Sequence, residues 1–80
     1  MPVPSFQTLM LPVLKFASDG ESHTLAESVE QTTELFRLSN DERAEVLRGG
    51  HNKLYNRVGW AATYLKKAGL LEAMGPGRFR

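Results

Sequence analysis

The chain of 80 residues contains no cysteine, which excludes disulfide bonds and thiolate metal sites. Its two histidines, His23 and His51, are 28 positions apart, a spacing unlike that of the histidine pairs that hold zinc. No apolar run approaches the roughly 18 residues of a membrane span. No basic segment precedes an apolar one at the N-terminus, so we expect no signal peptide. We therefore expect a cytoplasmic protein without membrane contact, metal or other cofactor.

Sequence motifs of the common enzyme classes are also missing. There is no Gly-x-Ser-x-Gly nucleophile elbow and no phosphate-binding Walker loop. Glu42 and Glu45 can share one face of a short helix, but a solvated surface is the simpler interpretation of these two carboxylates. We expect no catalytic activity from this stretch of chain.

Charge is distributed unevenly along the chain, although the net charge is only +1. Residues 1–40 carry two basic and five acidic side chains, whereas residues 41–80 carry eight basic and four acidic ones. From Arg48 onward, seven basic side chains accompany a single acidic one, Glu72. This asymmetry favours a polyanionic partner for the second half, although a solvated basic surface would have the same composition.

Three helices are predicted in the first part of the chain. A helix over residues 4–18 is predicted by a stripe of apolar residues at helical spacing: Phe6, Leu9, Met10, Val13 and Ala17. Ser5 is a candidate cap for it, although Pro4 could equally be its first residue. Pro12 lacks an N–H, so it should kink this helix or begin its second half. Capping boxes beginning at Thr24 and Ser39 predict two further helices. The first should run to about Phe36 and bury Leu25, Val29 and Phe36, and the second should end near Leu47.

The longest predicted helix follows Asn52, which can cap it. Its apolar stripe is formed by Leu54, Val58, Ala61, Leu65 and Ala68. At 100° per residue the opposite face carries basic, amide and hydroxyl groups: Lys53, Asn56, Trp60, Thr63 and Lys67. Nucleic acid is a natural partner for such a face.

After Gly69 the pattern changes from helical to extended. Residues 71–74 can form a strand, residues 75–77 (Gly-Pro-Gly) a turn, and residues 78–80 alternate as in a half-buried strand. The predicted fold is therefore mainly α with a small β-hairpin. We interpret it as a winged helix, a helix-turn-helix variant with three to four helices plus a wing. In such folds the last helix usually lies in the major groove of DNA.

At this point the chain resembles the N-terminal domain of Mrr-type restriction system proteins. The resemblance covers essentially all 80 residues and depends mainly on two motifs, Asn-Arg-x-Gly-Trp-Ala at 56–61 and Leu-Lys-x-Ala-Gly-Leu at 65–70. Residues 4–6, residues 11–14 and the Gly-Arg-Phe of the hairpin also fit. The resemblance implies that Pro12 belongs inside the first helix.

The resemblance also implies a function, the recognition of DNA for a restriction endonuclease. Such proteins join a winged-helix DNA-binding domain to a C-terminal nuclease that cuts modified (methylated) foreign DNA. The nuclease resembles the family built on Asp…Glu-x-Lys, but no Glu or Gln stands two residues before any lysine here. We therefore expect residues 1–80 to be a single DNA-binding domain, the excised N-terminal part of a longer protein.

The expected partners are double-stranded DNA, a nuclease domain of the same chain, and a second copy in a homodimer. The residues predicted to contact DNA are Lys53, Asn56, Arg57, Thr63, Lys67, Arg78 and Arg80. Lys53, Arg57, Lys67 and the wing arginines would contact phosphates. Lys66 is a further phosphate candidate, but its helical angle points it sideways and makes it the weakest of the lysines. Asn56, Arg57 and Thr63 could read bases.

Several of these side chains also have a purely structural interpretation. Arg57 could lie along its own helix, since its helical angle places it on the flank of the polar face and not at the centre, and Asn56 could bond local backbone. Trp60 is expected to pack under the N-terminal segment or against an absent domain. Gly59, in mid-helix, indicates either close helix packing, which we favour, or the close approach of a partner. The alternative function is a winged-helix module for protein interaction or dimerisation, whose partner surface would be Trp60, Tyr64 and Phe79.

Overall fold

The computed structural model describes residues 3–80 and is mainly helical. Its elements, in chain order, are α1 (Phe6–Phe16), a 3₁₀ turn (Ala17–Asp19), β1 (His23–Thr24), α2 (Leu25–Phe36), α3 (Asn40–Ala44), α4 (Lys53–Lys67) and β2 (Arg78–Phe79). The predicted order of elements is confirmed. Within residues 3–80, no helix combines the length and the apolar character needed to cross a bilayer.

Each α-helix begins at a capping side chain that the sequence identified. Ser5 accepts a hydrogen bond from the backbone N–H of Thr8, and Asn52 accepts one from that of Tyr55. Thr24 and Ser39 both form complete capping boxes. Such caps satisfy backbone donors that have no partner inside the helix, which fixes where each helix starts.

Pro12 lies inside α1, as the resemblance implied. The helix continues past it to Phe16, where the 3₁₀ turn follows and ends at Gly20 in the left-handed region. Leu9 and Val13 on either side of Pro12 are almost completely buried. Their burial holds the helix together across the missing hydrogen bond, because packing contributes more than a single backbone bond.

The core is formed mainly where α1 packs against α4. Leu54, Val58 and Ala61 of α4 have no exposed surface, and Leu65 has almost none. The predicted apolar stripe of α4 is therefore confirmed over these positions, while Ala68, after the helix end, is exposed. This packing turns the polar face of α4 away from the core.

The buried face of α2 differs from the prediction. Leu25, Val29 and Phe36 are only partly buried, whereas Ser28 and Thr32 are 1% and 2% exposed. The reason is that α2 turns these two small polar residues, rather than its large apolar ones, toward α1. Apolar periodicity alone predicted that α2 would bury the neighbouring stripe, which is formed by Leu25, Val29 and Phe36.

Helix α3 is shorter than predicted, ending at Ala44 instead of near Leu47. Glu45 has an extended backbone (φ −56°, ψ 137°), and Val46 forms a β-bridge with Asn52. The residues expected in the last turn are thus used to pair with the segment that leads into α4. This pairing closes the turn between the two helices.

The small sheet joins the middle of the chain to its last residues. Strands β1 and β2 are antiparallel, with His23 opposite Phe79 and Thr24 opposite Arg78. On the other side of β2, Ala73 bridges to Phe79, so the predicted strand over 71–74 is reduced to one isolated bridge. The turn between them has positive φ at Gly75 and Gly77, which glycine adopts readily. The helices with this hairpin form a winged-helix-like fold.

Candidate nucleic-acid interface

The solvent-facing side of α4 forms the floor of an open groove with a volume of about 550 Å³. The groove is lined by Leu25, His51, Asn52, Tyr55, Asn56, Gly59, Trp60, Ala62, Thr63 and Lys66. Most of these residues belong to α4 itself, and the start of α2 and the loop before α4 supply the rest. The groove therefore presents one helix face with mixed aromatic and polar groups.

The N-terminus of α4 is held firmly by Asn52. Its carboxamide oxygen accepts a bond of 2.9 Å from the Tyr55 N–H, while its nitrogen donates one of 2.7 Å to the Arg43 carbonyl. The backbone N–H of Lys53 also donates to the Glu45 carbonyl, at 2.9 Å. The first bond caps α4, and the other two attach its start to the end of α3, as in a helix-turn-helix corner.

Two of the predicted DNA contacts, Asn56 and Thr63, meet in this groove. Asn56 is half-buried, and its side-chain amide makes no hydrogen bond with any residue in the range 3–80. The interpretation that it bonds local backbone is therefore wrong. The Thr63 hydroxyl donates to the Gly59 carbonyl at 2.9 Å, which leaves its oxygen able to accept a further bond. Both groups can thus bond a ligand without breaking a contact of the fold.

The lysines of α4 differ in how they are held. Lys53 is paired with Glu45, with 3.2 Å between Nζ and Oε2. Lys67 is exposed, and its ammonium lies 5.9 Å from the centre of the Tyr64 ring. Lys66 lines the groove, although helical geometry had made it the least probable phosphate partner among the lysines. The signal that could have identified it is its spacing of three from Thr63 and seven from Gly59, which places it on their face.

Arg57 lies outside the groove and holds the N-terminal segment. Its Nη1 donates to the carbonyls of Val3 and Pro4, at 2.8 and 3.1 Å. The side chain is half-buried on the flank of α4. The prediction that its angle puts it on the flank is confirmed, but it bonds a distant segment instead of lying along its own helix. A DNA contact by Arg57 stays a prediction.

The arginines of the wing are exposed on either side of a buried residue. Arg78 donates from Nε to the Ser22 hydroxyl at 3.3 Å, and Arg80 pairs with Glu72 at 3.5 Å. Phe79 between them has no exposed surface. Phe79 therefore cannot belong to a partner surface, and that part of the alternative prediction is wrong.

The aromatic residues of α4 are all exposed, although one of them also packs on α1. Tyr64 stacks on Phe6 of α1, with ring centres 5.0 Å apart and planes inclined by 10°. Trp60 is 49% exposed, and its ring contact is with Tyr64, at 6.2 Å. Among the described N-terminal residues, Phe6 stacks on Tyr64 and not on Trp60, so packing of Trp60 under that segment is not observed, and its packing against an absent domain stays a prediction.

Gly59 has open space where a side chain would be. A Cβ atom built there would meet nothing within 4 Å. The predicted explanation, close helix packing, is therefore wrong. A glycine inside a helix costs about 1 kcal/mol relative to alanine, and the described fold gives no contact that offsets this cost.

A polar cluster lies around His23, whose ring is buried while the two carboxylates that face it are about half exposed. Its Nε2 is 2.9 Å from both carboxylate oxygens of Asp19, and its Nδ1 is 3.5 Å from Glu27. The hydrogen bond to Asp19 raises the pKa of His23 above its ordinary value, and the nearby Glu27 adds to the effect. The pKa of Asp19 is lowered, first by the Glu21 N–H and then by His23. This cluster connects the 3₁₀ turn to the start of α2, and sequence patterns did not predict it, since a single histidine does not indicate its partners.

Comparison with known proteins gives two matches. The profile of the family described as the Mrr N-terminal domain matches residues 6–80. The chain is also similar to the type IV methyl-directed restriction enzyme EcoKMrr of Escherichia coli (strain K12), with 31% identity over 80 residues. That alignment covers 99% of this chain and 26% of the relative, so the chain spans about a quarter of the relative's length. No solved structure matches the chain at a significant level.

Proposed function

This chain belongs to the Mrr N-terminal domain family, and from that premise we propose that it is a DNA-binding recognition domain. Residues 1–80 form one winged-helix domain in this proposal, with α4 in the major groove of double-stranded DNA and the wing against the backbone. It acts in the cytoplasm, as the N-terminal part of an Mrr-like restriction endonuclease, either alone or as a homodimer.

The observation that carries the proposal is the open groove over the polar face of α4. It contains a free amide (Asn56), a hydroxyl with acceptor capacity (Thr63) and an ammonium group (Lys66). The stretch of chain that contains α4, from Arg48 onward, has seven basic side chains and one acidic one. A helix face with hydrogen-bonding groups, in a basic part of the chain, matches what a DNA groove offers, base edges between two rows of phosphates.

The predicted residues take two roles in the proposal. Phosphates are contacted by the basic side chains, which supply most of the affinity: Lys53, Arg57, Lys67, Arg78 and Arg80. Base edges are read by Asn56 and Thr63, with Arg57 as a third reader if its free guanidinium edge reaches the groove. Lys66 joins the phosphate contacts because it lines the same groove.

Catalysis is proposed to reside in a nuclease domain outside this stretch of chain. The relative is named as a methyl-directed restriction enzyme, and the chain corresponds to 26% of it. The domain would then direct cleavage of modified (methylated) foreign DNA without taking part in the chemistry.

Protein interaction is the second candidate function, and the exposure of Trp60 supports it. An indole that is 49% exposed on a helix face is a common anchor in protein interfaces. With Phe79 buried, the surface would reduce to Trp60 and the exposed edge of Tyr64. Concentration-dependent dimerisation without DNA binding would favour this function over the first.

Fluorescence anisotropy with a short duplex, plain and methylated, across a salt series tests the proposal. We expect binding that weakens steeply with salt and is lost in the double variant Arg57→Ala plus Lys67→Ala. A preference for the methylated duplex would support the restriction function. The matched control removes two positive charges from the acidic half, Lys15→Ala plus Arg37→Asn; asparagine suits the left-handed φ of 52° at position 37. Absence of binding at low salt would overturn the proposal.

A further inference from the structure

We propose that Gly59 is the point at which the edge of a DNA base pair approaches the backbone of α4 most closely. The inference deepens the proposed function and rests on it. It assigns a specificity-determining position to a residue with no side chain, in the centre of the groove face.

The usual reasons for a glycine do not apply to Gly59. Its φ is not positive, unlike that of Gly69 just after the same helix, so backbone geometry does not require glycine. Packing does not require it either, because a Cβ there would meet nothing within 4 Å. The space that the missing side chain leaves free lies outside the domain, in the groove. A contact made by an incoming molecule is the explanation that remains.

The neighbours of Gly59 on the helix surface are the groups suited to reading a base edge. Asn56 precedes it by three positions and Thr63 follows it by four, so the three form one stripe along α4. Tyr55 and Trp60 line the same groove and are 45% and 49% exposed. The low point of the surface at Gly59 is thus bordered by hydrogen-bonding groups along the helix and by aromatic rings beside it.

The length of these side chains makes close approach necessary. Asparagine and threonine are short, so they reach a base edge only if the helix backbone comes near the base pairs. A methyl group at position 59 would stand between Asn56 and Thr63 and hold the helix away from the duplex. Glycine allows the approach, since it adds nothing beyond the backbone itself.

Substitution of Gly59 by alanine separates a role in DNA binding from a role in folding, because it should raise the stability of the domain and lower its affinity for DNA. Alanine favours the helix and meets no neighbour, so the melting temperature should rise by about 4–8 °C. The affinity for a duplex should nevertheless fall about tenfold, comparable to the loss of one good base contact. A protein that becomes more stable and binds less well cannot owe the loss to unfolding.

The control is Gln31→Ala, an uncharged exposed position within α2, which should leave duplex affinity unchanged. If Gly59→Ala binds a duplex as tightly as the wild-type chain does, the inference fails and the proposed function stands. If the wild-type chain binds no duplex at low salt, the proposed function fails and the inference fails with it. Gly59→Val should bind more weakly than Gly59→Ala, and equal affinities of the two variants would also contradict close approach.

Discussion

The imidazole of His23 is almost completely buried and lies 2.9 Å from each carboxylate oxygen of Asp19, whose side chain is half exposed. The ring also packs against Phe16, with 4.2 Å between ring centres, and faces Phe79 of the wing at 6.5 Å. One side chain therefore joins the end of α1, the start of α2 and the sheet.

We expect the free energy of unfolding to fall as the pH rises past the ordinary histidine value of 6.5. The folded pKa of His23 is raised, so its contribution is complete below 6.5 and is lost as the pH passes through the higher folded pKa. Denaturant unfolding at a series of pH values measures this slope. His23→Gln should remove it and His51→Gln, at an exposed loop position, should not; an unchanged slope in His23→Gln would contradict the assignment.

The carboxylates of Asp19 and Glu27, whose pKa values are lowered, affect the free energy of unfolding in a different pH range. Their contribution is present above the ordinary carboxyl values near 4 and is lost as the pH falls through the lower folded pKa values. The two pH ranges are well separated, so these two carboxylates do not contribute to the slope above 6.5.

Replacing Arg57 by alanine should lower the free energy of unfolding by about 1–2 kcal/mol, because two hydrogen bonds from a charged, half-exposed donor are lost. It should also weaken DNA binding and relax the preference at one position of the site. Arg57→Lys keeps the charge without the planar donor. If Arg57 acts only through its bonds to Val3 and Pro4, Arg57→Ala and Arg57→Lys should both be less stable than the wild-type chain. The two variants should then bind DNA with the same affinity as each other.

Lys67→Ala should weaken binding to all duplex sequences equally and lower the salt slope by about 1, as expected for one phosphate contact. Lys67 is exposed and makes no ion pair within residues 3–80, so its loss should leave stability almost unchanged. Lys15→Ala on α1 is the charge-matched control. An unchanged slope in Lys67→Ala would remove this residue from the interface.

Ser28→Ala should raise the free energy of unfolding by about 1 kcal/mol. The Ser28 hydroxyl is buried between α1 and α2, and no residue in the described range 3–80 bonds it. Removing an unpaired polar group from such a place is favourable, and alanine suits the helix better than serine. Ser18→Ala should give no such gain, because the Ser18 hydroxyl is exposed and donates to the Lys15 carbonyl at 2.6 Å. Chemical denaturation of both variants measures the difference.

Local sequence rules were sufficient to predict where the helices begin. A capping side chain is adjacent to the backbone it bonds, so Thr24 and Ser39 could be recognised together with Glu27 and Glu42 three positions later. Helix α3 ended early for a reason that sequence patterns do not show, the pairing of Val46 with Asn52. Capping and periodicity rules describe bonds inside a helix, so they do not report a bridge between the segments on either side of a turn.

The candidate site was predictable in its location and less so in its details. The polar face of α4 follows from helical periodicity, which placed Asn56 and Thr63 outward. Periodicity does not show what lies beside that face, so the bonds from Arg57 to the N-terminal segment were missed. The open space at Gly59 was missed for the same reason, since only the positions of other elements reveal whether a glycine is covered.

The hydrogen bonds of Asn52 have a consequence for how fast and how tightly a ligand binds. Because its amide joins the Arg43 carbonyl to the Tyr55 N–H, α3 and α4 are already locked in one relative orientation before any partner arrives. Little conformational entropy is then lost at the moment of contact, and no rearrangement delays a productive encounter. Pre-organisation of this corner lets the association rate be set by diffusion and by the electrostatic attraction between the basic half of the chain and its partner.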